Sequence, residues 1–458
     1  MNKLKIYISA LAVALLLFQG CDGLLDVEPK QSLDSELALT NADNVKSVLI
    51  GGYDGLGSAD LYGGWYQMTA DFLAADDEFT FSGTFFQPRE IIQKNILYDN
   101  SFIADTWESS YETINILNNV MSALDLLEGA DRSRVEGEAR LMRGMIYFEM
   151  VRFFGAPYEA GQANNQPGVP LILTPTKEIN EEANVPRASV DAVYDQILED
   201  LTEARDLLDD VNPVEPYYVN SMVASAVLSR VHLQRGEYEE ARDEASRVIE
   251  SELYQLQPTF ADVFNQSENT SEDIFAMQNS AQDGTNSFYT YYSASSRGDI
   301  DISQDHLDEY EANDDRLNLF YIDPDDGVTV RSGKWNRATD DQVNVIRLAE
   351  MYLTRAEANF RLGEVEGDTP LNDLNEIRDR VNLPLYVLPT DFDLDDILRE
   401  RKLELMFEGN LLHDIKRTER NVGPLQYNAP KLVLPIPERE LNVNPELCQN
   451  ASYQGPAC

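Results

Sequence analysis

Histidine, cysteine and positive charge are all scarce in this sequence. Its 458 residues include three His and three Cys, and no second cysteine pair lies near Cys448 and Cys458, which argues against a zinc site. Lys and Arg number 36 against 81 Asp and Glu, giving a net charge of −45. A surface with this charge repels nucleic acids and anionic lipid headgroups, so neither is expected as a partner. Adaptation to a saline habitat and ordinary acidic drift that aids solubility are alternative explanations of the charge.

The sequence also has little that could cross a membrane. Its N-terminal apolar segment, residues 6–18, is too short to span a bilayer comfortably and follows two lysines, as in a signal peptide. The sequence LFQGC, which ends at Cys21, resembles a bacterial lipobox, in which the cysteine is diacylated and becomes the mature N-terminus. We therefore expect residues 1–20 to be a lipoprotein signal peptide and residues 21–40 a lipidated tether. A secretory peptide with an incidental cysteine is the alternative.

The overall composition is that of a folded globular protein. Hydrophobic residues make up 43% of the chain and charged residues 26%, and the length suffices for one large or two medium domains. We expect a single domain at 41–458, with loop-rich insertions at about 60–100 and 252–344. Both insertions contain many aromatic residues but no sustained helical period, so we expect loops and short strand-like pieces. Long aromatic loops within a helical protein are usually functional.

The segment 138–157 shows the most pronounced helical pattern. Its apolar residues recur in two adjacent rows, which predicts a helix buried between other helices and ended by a Gly-x-Pro sequence. Arg140, Arg143 and Arg152 interrupt the apolar stripe. Each of these cations needs a carboxylate partner if it is even partly buried.

Residues 222–251 fit the spacing of a tetratricopeptide helix pair, with Gly236 at the turn. A weaker copy surrounds Gly363, and the separation of the two glycines is not a multiple of the repeat period. We therefore expect an interrupted array. Other helices are predicted from Asn41 or Asp43, from a cap at Ser189, and at the following ranges: 103–117, 346–362, 371–381 and 395–409.

Several segments resemble, in order along the chain, the motifs of the SusD/RagB family of outer-membrane nutrient-uptake lipoproteins. The helix at 138–157 is the first. The others are VIRLAEMYLTRAEA at 345–358, LNEIRDR at 374–380, ILRERKLELMFEGNLLHDIKR at 397–417 and LPIP at 434–437. Asn410 stands near where the family usually has an arginine, which puts one internal ion pair in doubt.

The resemblance implies a mostly α fold, in which tetratricopeptide-like helix pairs pack with an irregular, loop-rich side that binds ligand. It implies a non-catalytic, lipid-anchored, cell-surface glycan-binding protein of the outer membrane. Such a protein acts as the lid subunit of a SusC-like TonB-dependent transporter, with the helix pairs facing the transporter, and uses no cofactor. The RagB branch implies a peptide-binding lid instead, and cationic peptides would suit the acidic surface. An enzyme is disfavoured, because the sequence shows no nucleophile–base pair, metal cluster or phosphate loop.

Loop aromatics are the expected ligand contacts, because the C–H faces of sugars stack on Trp and Tyr rings. Trp335 lies outside any helical stripe and has polar neighbours, and Trp65 follows two glycines. A Gly/Ser-rich loop contributes three tyrosines and an arginine. The expected ligand-binding residues are Trp335, Trp65, Tyr289, Tyr291, Tyr292 and Arg297. Packing in the core or in an interface is the alternative for each aromatic ring.

Glu400, Glu404 and Glu408 are spaced four apart on a predicted helix. A glycosidase needs its two carboxylates on opposite sides of the scissile bond, whereas one helix face puts them on the same side. Neighbouring arginines favour structural ion pairs.

Two shorter motifs leave alternatives open. Cys448 and Cys458 lie near the C-terminus of an exported chain, where they form either a small disulfide loop or two separate thiols. The sequence DPDDG at 323–327 is similar to a calcium loop but lacks the later Glu. A simple turn is favoured there.

Overall fold

Residues 39–177, 183–209 and 217–458 are described by a computed structural model. The expected signal peptide, Cys21 and most of the tether lie outside these residues. Among the helices within these ranges, none is both long and apolar enough to cross a membrane.

The described residues form fifteen α-helices and six short β-strands, which confirms the mostly helical fold. The helices are α1 (Ala42–Leu56), α2 (Trp65–Ala74), α3 (Phe86–Ile92), α4 (Ser101–Ser122), α5 (Gly129–Phe154), α6 (Val190–Leu208), α7 (Ser221–Arg235), α8 (Tyr238–Glu250), α9 (Ser287–Tyr292), α10 (Gln304–Leu307), α11 (Leu348–Leu362), α12 (Pro370–Arg380), α13 (Leu394–Leu405), α14 (Leu411–Arg417) and α15 (Glu438–Val443). The strands are β1 (Phe79–Phe81), β2 (Asp273–Asn279), β3 (Ile300–Ile302), β4 (Phe320–Ile322), β5 (Val330–Ser332) and β6 (Asp341–Arg347).

Side-chain caps begin the long helices where the sequence predicts them. The side chain of Asn41 accepts a hydrogen bond from the backbone of Asn44 at the start of α1. Ser189 does the same for the backbone of Ala192 at the start of α6. These bonds satisfy amides that would otherwise lack a partner in the first turn.

Helix α5 lies at the centre of the helical layer, packed on α4, α6 and α1. The three arginines that interrupt its apolar stripe, Arg140, Arg143 and Arg152, have the carboxylate partners that the sequence requires. Arg143 forms two bonds of 2.8 and 2.7 Å to Asp200, whose side chain is fully buried. Arg140 also reaches Asp200, and Arg152 pairs with Glu149. The cations within the apolar stripe are therefore neutralised inside the helix bundle.

The tetratricopeptide-like pairs are α7–α8 and α11–α12, and each pair packs face to face. Gly236 and Gly363 end the first helices of the two pairs in the left-handed conformation, with φ of 76° and 67°. Side chains other than glycine are strained there. Helix α8 packs directly on α11 although residues 251–347 intervene. The array that is interrupted in sequence is thus continuous in space.

Three two-stranded antiparallel sheets support the loop-rich side, pairing β1 with β3, β2 with β6 and β4 with β5. In the β2–β6 pair, Met277 lies opposite Val343 and Asn279 opposite Asp341. Strand β6 runs directly into α11. The segment VIRLAEMYLTRAEA therefore begins as a strand, which corrects the helix predicted from residue 346.

The insertion at 60–100 contains more helix than expected, since α2 and α3 both lie within it. All ten residues of α2 are buried. A helix buried on every side has no polar face, so it leaves no periodic pattern for sequence analysis to detect. The prediction of loops and strand-like pieces is wrong for residues 65–74.

The chain turns sharply after α13, which ends at Leu405 rather than near Gly409. Phe407 and Gly409 have positive φ values of 66° and 81°. A Cβ atom on Gly409 would lie 2.5 Å from the Cα atom of Gln67, so the motif glycine is required by a close approach of two chain segments.

Near the C-terminus, Cys448 and Cys458 form a disulfide. The backbone oxygen of Cys448 accepts a 3.1 Å bond from Arg187, which also binds the backbone oxygen of Phe154 at the end of α5. The closing loop is thereby held against the helical layer.

Candidate functional site

Four of the aromatic residues predicted to bind ligand lie in the core. Trp335 is 1% exposed, donates a 3.1 Å bond to the backbone oxygen of Phe407 and stacks on Phe288 at 4.3 Å. The ring of Trp65 packs against Tyr291, with centroids 5.5 Å apart. Tyr292 is fully buried as well.

These four rings present no open face to solvent, so we correct the expectation that they form a stacking platform. Trp335 belongs to a short 3₁₀ turn, Gly333–Trp335, whose three residues are all buried. Irregular backbone can bury a large ring as completely as a helix does. The lack of a helical stripe around Trp335 therefore did not indicate exposure.

The other two predicted residues lie nearer the surface, Tyr289 within α9 and Arg297 in the loop that follows it. Tyr289 is partly exposed, and its hydroxyl donates a 3.2 Å bond to the backbone oxygen of Ser295. Arg297 is exposed, donates a 2.7 Å bond to Asp299 and places its guanidinium 4.0 Å above the ring of Phe85.

A groove of about 1010 Å³ opens on the loop-rich side. It is lined by α1 with the turn that follows it, and by β2. Residues just before α9 and just before α7 line it as well. Sequence analysis did not find this groove, because its walls come from four distant stretches of the chain.

Three tyrosines form a continuous aromatic surface in the groove, which we call the tyrosine ladder (Tyr53, Tyr217 and Tyr218). The rings of Tyr53 and Tyr218 stack with centroids 4.7 Å apart. Tyr217 meets Tyr218 edge-on at 5.2 Å and is 40% exposed. The adjacent pair at 217–218, placed just before the cap of α7, is the one sequence signal that could have indicated this surface.

Burial fixes the inner end of the ladder. The hydroxyl of Tyr53 donates a 2.8 Å bond to Glu138 and accepts a 3.2 Å bond from the backbone of Val219. Burial, and then the nearby carboxylate of Glu138, raise the pKa of Tyr53 well above its usual value. The phenol therefore stays neutral, and its position is set by the helical core.

Amide side chains line the β2 side of the groove. Gln278 donates a 2.5 Å bond to Asn269, and Asn286 caps α9 while donating a 3.1 Å bond to Asp341. The Nδ2 atom of Asn279 is buried and has no hydrogen-bond partner among the residues that the structure describes. A ligand hydroxyl could satisfy this amide, since buried polar atoms are rarely left unpaired.

Comparison with known proteins decides the family. A model of the SusD family matches residues 320–429. A second model, described as starch-binding and associating with the outer membrane, matches residues 24–233. The chain belongs to the SusD/RagB family.

Relatives and solved structures of this family cover nearly the whole chain. SusD-like protein P38 of Formosa agariphila is 24% identical over 96% of this chain and 97% of its own. A SusD superfamily protein from Bacteroides vulgatus has a TM-score of 0.81 and 26% identity, covering 90% of this chain and 99% of its own. A putative sugar binding protein from the same organism has a TM-score of 0.79 and 26% identity, covering 91% and 100%.

A second aromatic surface of this SusD/RagB family member is formed by Phe85 and Phe86, and we call it the phenylalanine patch. Phe86 is 71% exposed, an unusual position for a large apolar ring. Arg297 covers Phe85 from the loop that follows α9, whereas Asn286, just before α9, lines the groove. The residue that precedes α9 thus lines the groove, and the loop that follows α9 contacts the phenylalanine patch.

The carboxylates at 400, 404 and 408 serve as ion pairs, as the sequence predicts. Glu400 lies 2.7 Å from Arg316, and Glu408 lies 2.7 Å from both Lys334 and Arg347. All three carboxylates are buried, and their basic partners are buried as well. They are not placed to protonate a bound glycan.

The DPDDG sequence forms the turn between β4 and β5. Asp323 accepts a 2.9 Å bond from Arg331, and Asp326 accepts bonds from the backbone amides of Val328 and Thr329. Within the described ranges, no group of three or more acidic, His or Cys side chains is placed to hold a metal ion.

Proposed function

We propose that this protein captures oligosaccharides or polysaccharides in the groove, with the tyrosine ladder stacking on sugar rings. The observation that carries the proposal is the lining of the groove, which combines the packed phenol rings of the tyrosine ladder with amide side chains. Aromatic rings bind the C–H faces of sugars, and amides exchange hydrogen bonds with their hydroxyls. The family match supports the same ligand class.

Native affinity electrophoresis tests the proposal. The full chain, purified in detergent, is run through gels that contain neutral, acidic or sulfated polysaccharides. We expect retardation by at least one glycan, and we expect Tyr217→Ala to weaken it about tenfold, because Tyr217 is the exposed end of the ladder.

Val387→Ala is the matched control, since Val387 is 76% exposed on the loop between α12 and α13 and touches neither aromatic surface. Equal retardation of Tyr217→Ala and Val387→Ala would place the ligand elsewhere. The retardation of Phe86→Ala then decides whether the ligand binds at the phenylalanine patch, in which case this variant is retarded less than the wild type.

We further propose that the protein is a lid subunit of a SusC-like TonB-dependent transporter, with its tetratricopeptide-like helix pairs toward the transporter. Family membership supports this role. Purification of a tagged chain from outer membranes in mild detergent should recover a large β-barrel protein in stoichiometric amount. Recovery of the chain alone, from cells that grow on its glycan, would contradict the lid role.

Lipid anchoring at Cys21 is part of the same proposal, and it is supported by the lipobox and by the outer-membrane association in the family description. Mass spectrometry of the mature N-terminal peptide should show an acylated cysteine. Cys21→Ala should release the protein from the outer membrane, and unchanged membrane retention would refute the anchor.

We also propose that the protein does not cleave what it binds. The support is that the carboxylates of α13 and the adjacent turn are engaged by buried arginines and a buried lysine. Thin-layer chromatography of a bound polysaccharide after long incubation should show no new products. Oligosaccharide release by pure protein would refute this point.

A peptide ligand is the second candidate, and β2 favours it. This strand pairs with β6 alone among the described strands, so its other edge borders the groove. An extended peptide can add to such an edge through backbone hydrogen bonds. Displacement of the ligand by oligopeptides and not by oligosaccharides would decide for this candidate.

A further inference from the structure

The groove is acidic and has no positive charge of its own. Asp54, Glu268 and Asp283 line it, and all three are exposed. Among the lining residues, all of which lie in the described part of the chain, none is Lys, Arg or His. Its remaining polar lining consists of hydroxyl and amide groups.

The position of one carboxylate is set by local bonds. Asp283 accepts bonds of 2.8 and 2.7 Å from the backbone and hydroxyl of Ser280. These bonds hold its charge at the rim of the groove. The carboxylate therefore cannot turn away from a ligand without losing both bonds.

One cation that lies close to the groove, Arg337, has its side chain directed elsewhere. Arg337 approaches the groove through its backbone oxygen, which accepts a 3.0 Å bond from Asn286. The Nε atom of Arg337 donates a 2.6 Å bond to the backbone oxygen of Asp340. Its side chain is therefore engaged outside the lining.

We propose that the groove selects glycans that carry no carboxylate or sulfate groups. This inference rests on the proposed function and names the chemical class of its ligand. A uronate or sulfate ester in the groove would lie close to its lining carboxylates, with no cation among the lining residues. Each such contact should weaken binding by about tenfold, because like charges repel strongly at short range.

Ionic strength should modulate the selection. At about 0.1 M salt the screening length is about 10 Å, longer than the contact distances, so the repulsion persists. At about 1 M it falls to about 3 Å and the repulsion weakens. The preference for neutral over charged glycans should therefore be strongest at low salt.

Matched pairs of neutral and charged polymers test the inference, whichever glycan is the natural ligand. The full chain is run in native affinity gels that contain dextran or dextran sulfate, hydroxyethyl cellulose or carboxymethyl cellulose, and starch or carboxymethyl starch. EDTA is present throughout, so that divalent cations cannot bridge carboxylates. We expect retardation by a neutral polymer and at least tenfold weaker retardation by its charged derivative.

Three outcomes are distinguishable. Equal or stronger retardation by the charged derivative would refute the charge selection and leave glycan binding standing. No retardation by any polymer, including a wider panel of neutral glycans, would refute glycan binding and the selection with it. Weaker retardation by the charged derivative supports both.

A double variant localises the effect. The double variant Glu268→Gln, Asp283→Asn removes two of the three lining charges. It should therefore reduce the ratio of the affinity for a neutral polymer to the affinity for its charged derivative at least about threefold. Asp395→Asn, at a carboxylate on α13 outside the groove, should leave the ratio unchanged. Equal narrowing by both variants would show that the net charge of the whole protein, and not the groove, excludes anionic glycans.

Discussion

Replacing Glu404 by Gln should destabilise the fold strongly. The carboxylate is fully buried, and it lies 2.6 Å from Arg347 and 3.5 Å from Arg316. Arg380 contacts it as well. Burial alone would raise the pKa of Glu404, but Arg380, Arg347 and Arg316 together lower it far below its usual value. The folded state therefore holds this group as an anion between three cations.

The magnitude follows from the partners that remain. Removing one member of a buried ion pair costs about 3–5 kcal/mol. Arg347 keeps Glu272 and Glu408, so we expect the lower end, a loss of about 3 kcal/mol in the free energy of unfolding. Urea denaturation followed by circular dichroism measures this difference. Asp395→Asn is the control, because that carboxylate is 79% exposed on the same helix and should contribute little.

The effect should also depend on pH with a defined sign. Because the folded state lowers the pKa of Glu404, its stabilisation is complete above the usual pKa of a glutamate, about 4.3, and is lost as the pH falls below it. The difference in the free energy of unfolding between wild type and Glu404→Gln should therefore become smaller in acid. A loss under about 1 kcal/mol at neutral pH, or a gap that widens in acid, would refute this account of the network.

Two further stability predictions follow from the backbone and from a second buried carboxylate. Gly409→Ala should lower the free energy of unfolding by at least about 2 kcal/mol, because its φ is +81° and a Cβ atom would meet Gln67. Gly284→Ala is the control in the same urea assay, since Gly284 has a φ of +85° but open space around it. It therefore measures the backbone strain without the clash. Burial raises the pKa of Asp341 to about 7, so its folded form holds a proton that the unfolded chain releases near pH 4. Stability should therefore fall between pH 4 and 7, and thermal melts of Asp341→Asn should show a shallower decline; an unchanged slope would contradict the raised pKa.

Local features of the sequence determined the helical layer and its charge pairing. The caps at Asn41 and Ser189 and the left-handed glycines act within a turn of the residues that predict them. A cation inside an apolar stripe requires a buried carboxylate partner. The sequence therefore predicted that such a partner exists, and the structure identifies it as a residue such as Asp200. The family motifs carried the same information along most of the chain.

The sequence was less informative where burial is complete or where the backbone is irregular. Helix α2 has no exposed face, so its sequence shows no hydrophobic period. Trp335 belongs to a short 3₁₀ turn that is itself buried. In both places the environment that covers the side chains comes from distant segments. Periodicity reports only one-sided burial, so it cannot distinguish an enclosed helix or turn from an aromatic loop.

Only the tertiary structure decided where a ligand can bind. The fold brings Tyr53 of α1 against the pair at 217–218 and places them in one groove with β2, although each stretch is ordinary by itself. Which tyrosines stack, which amide lacks a partner and which carboxylates face the same space depend on how the helical layer and the β2–β6 sheet pack. The physical reason is that a binding site forms where surfaces from distant parts of the chain meet, whereas local sequence determines each of these surfaces separately.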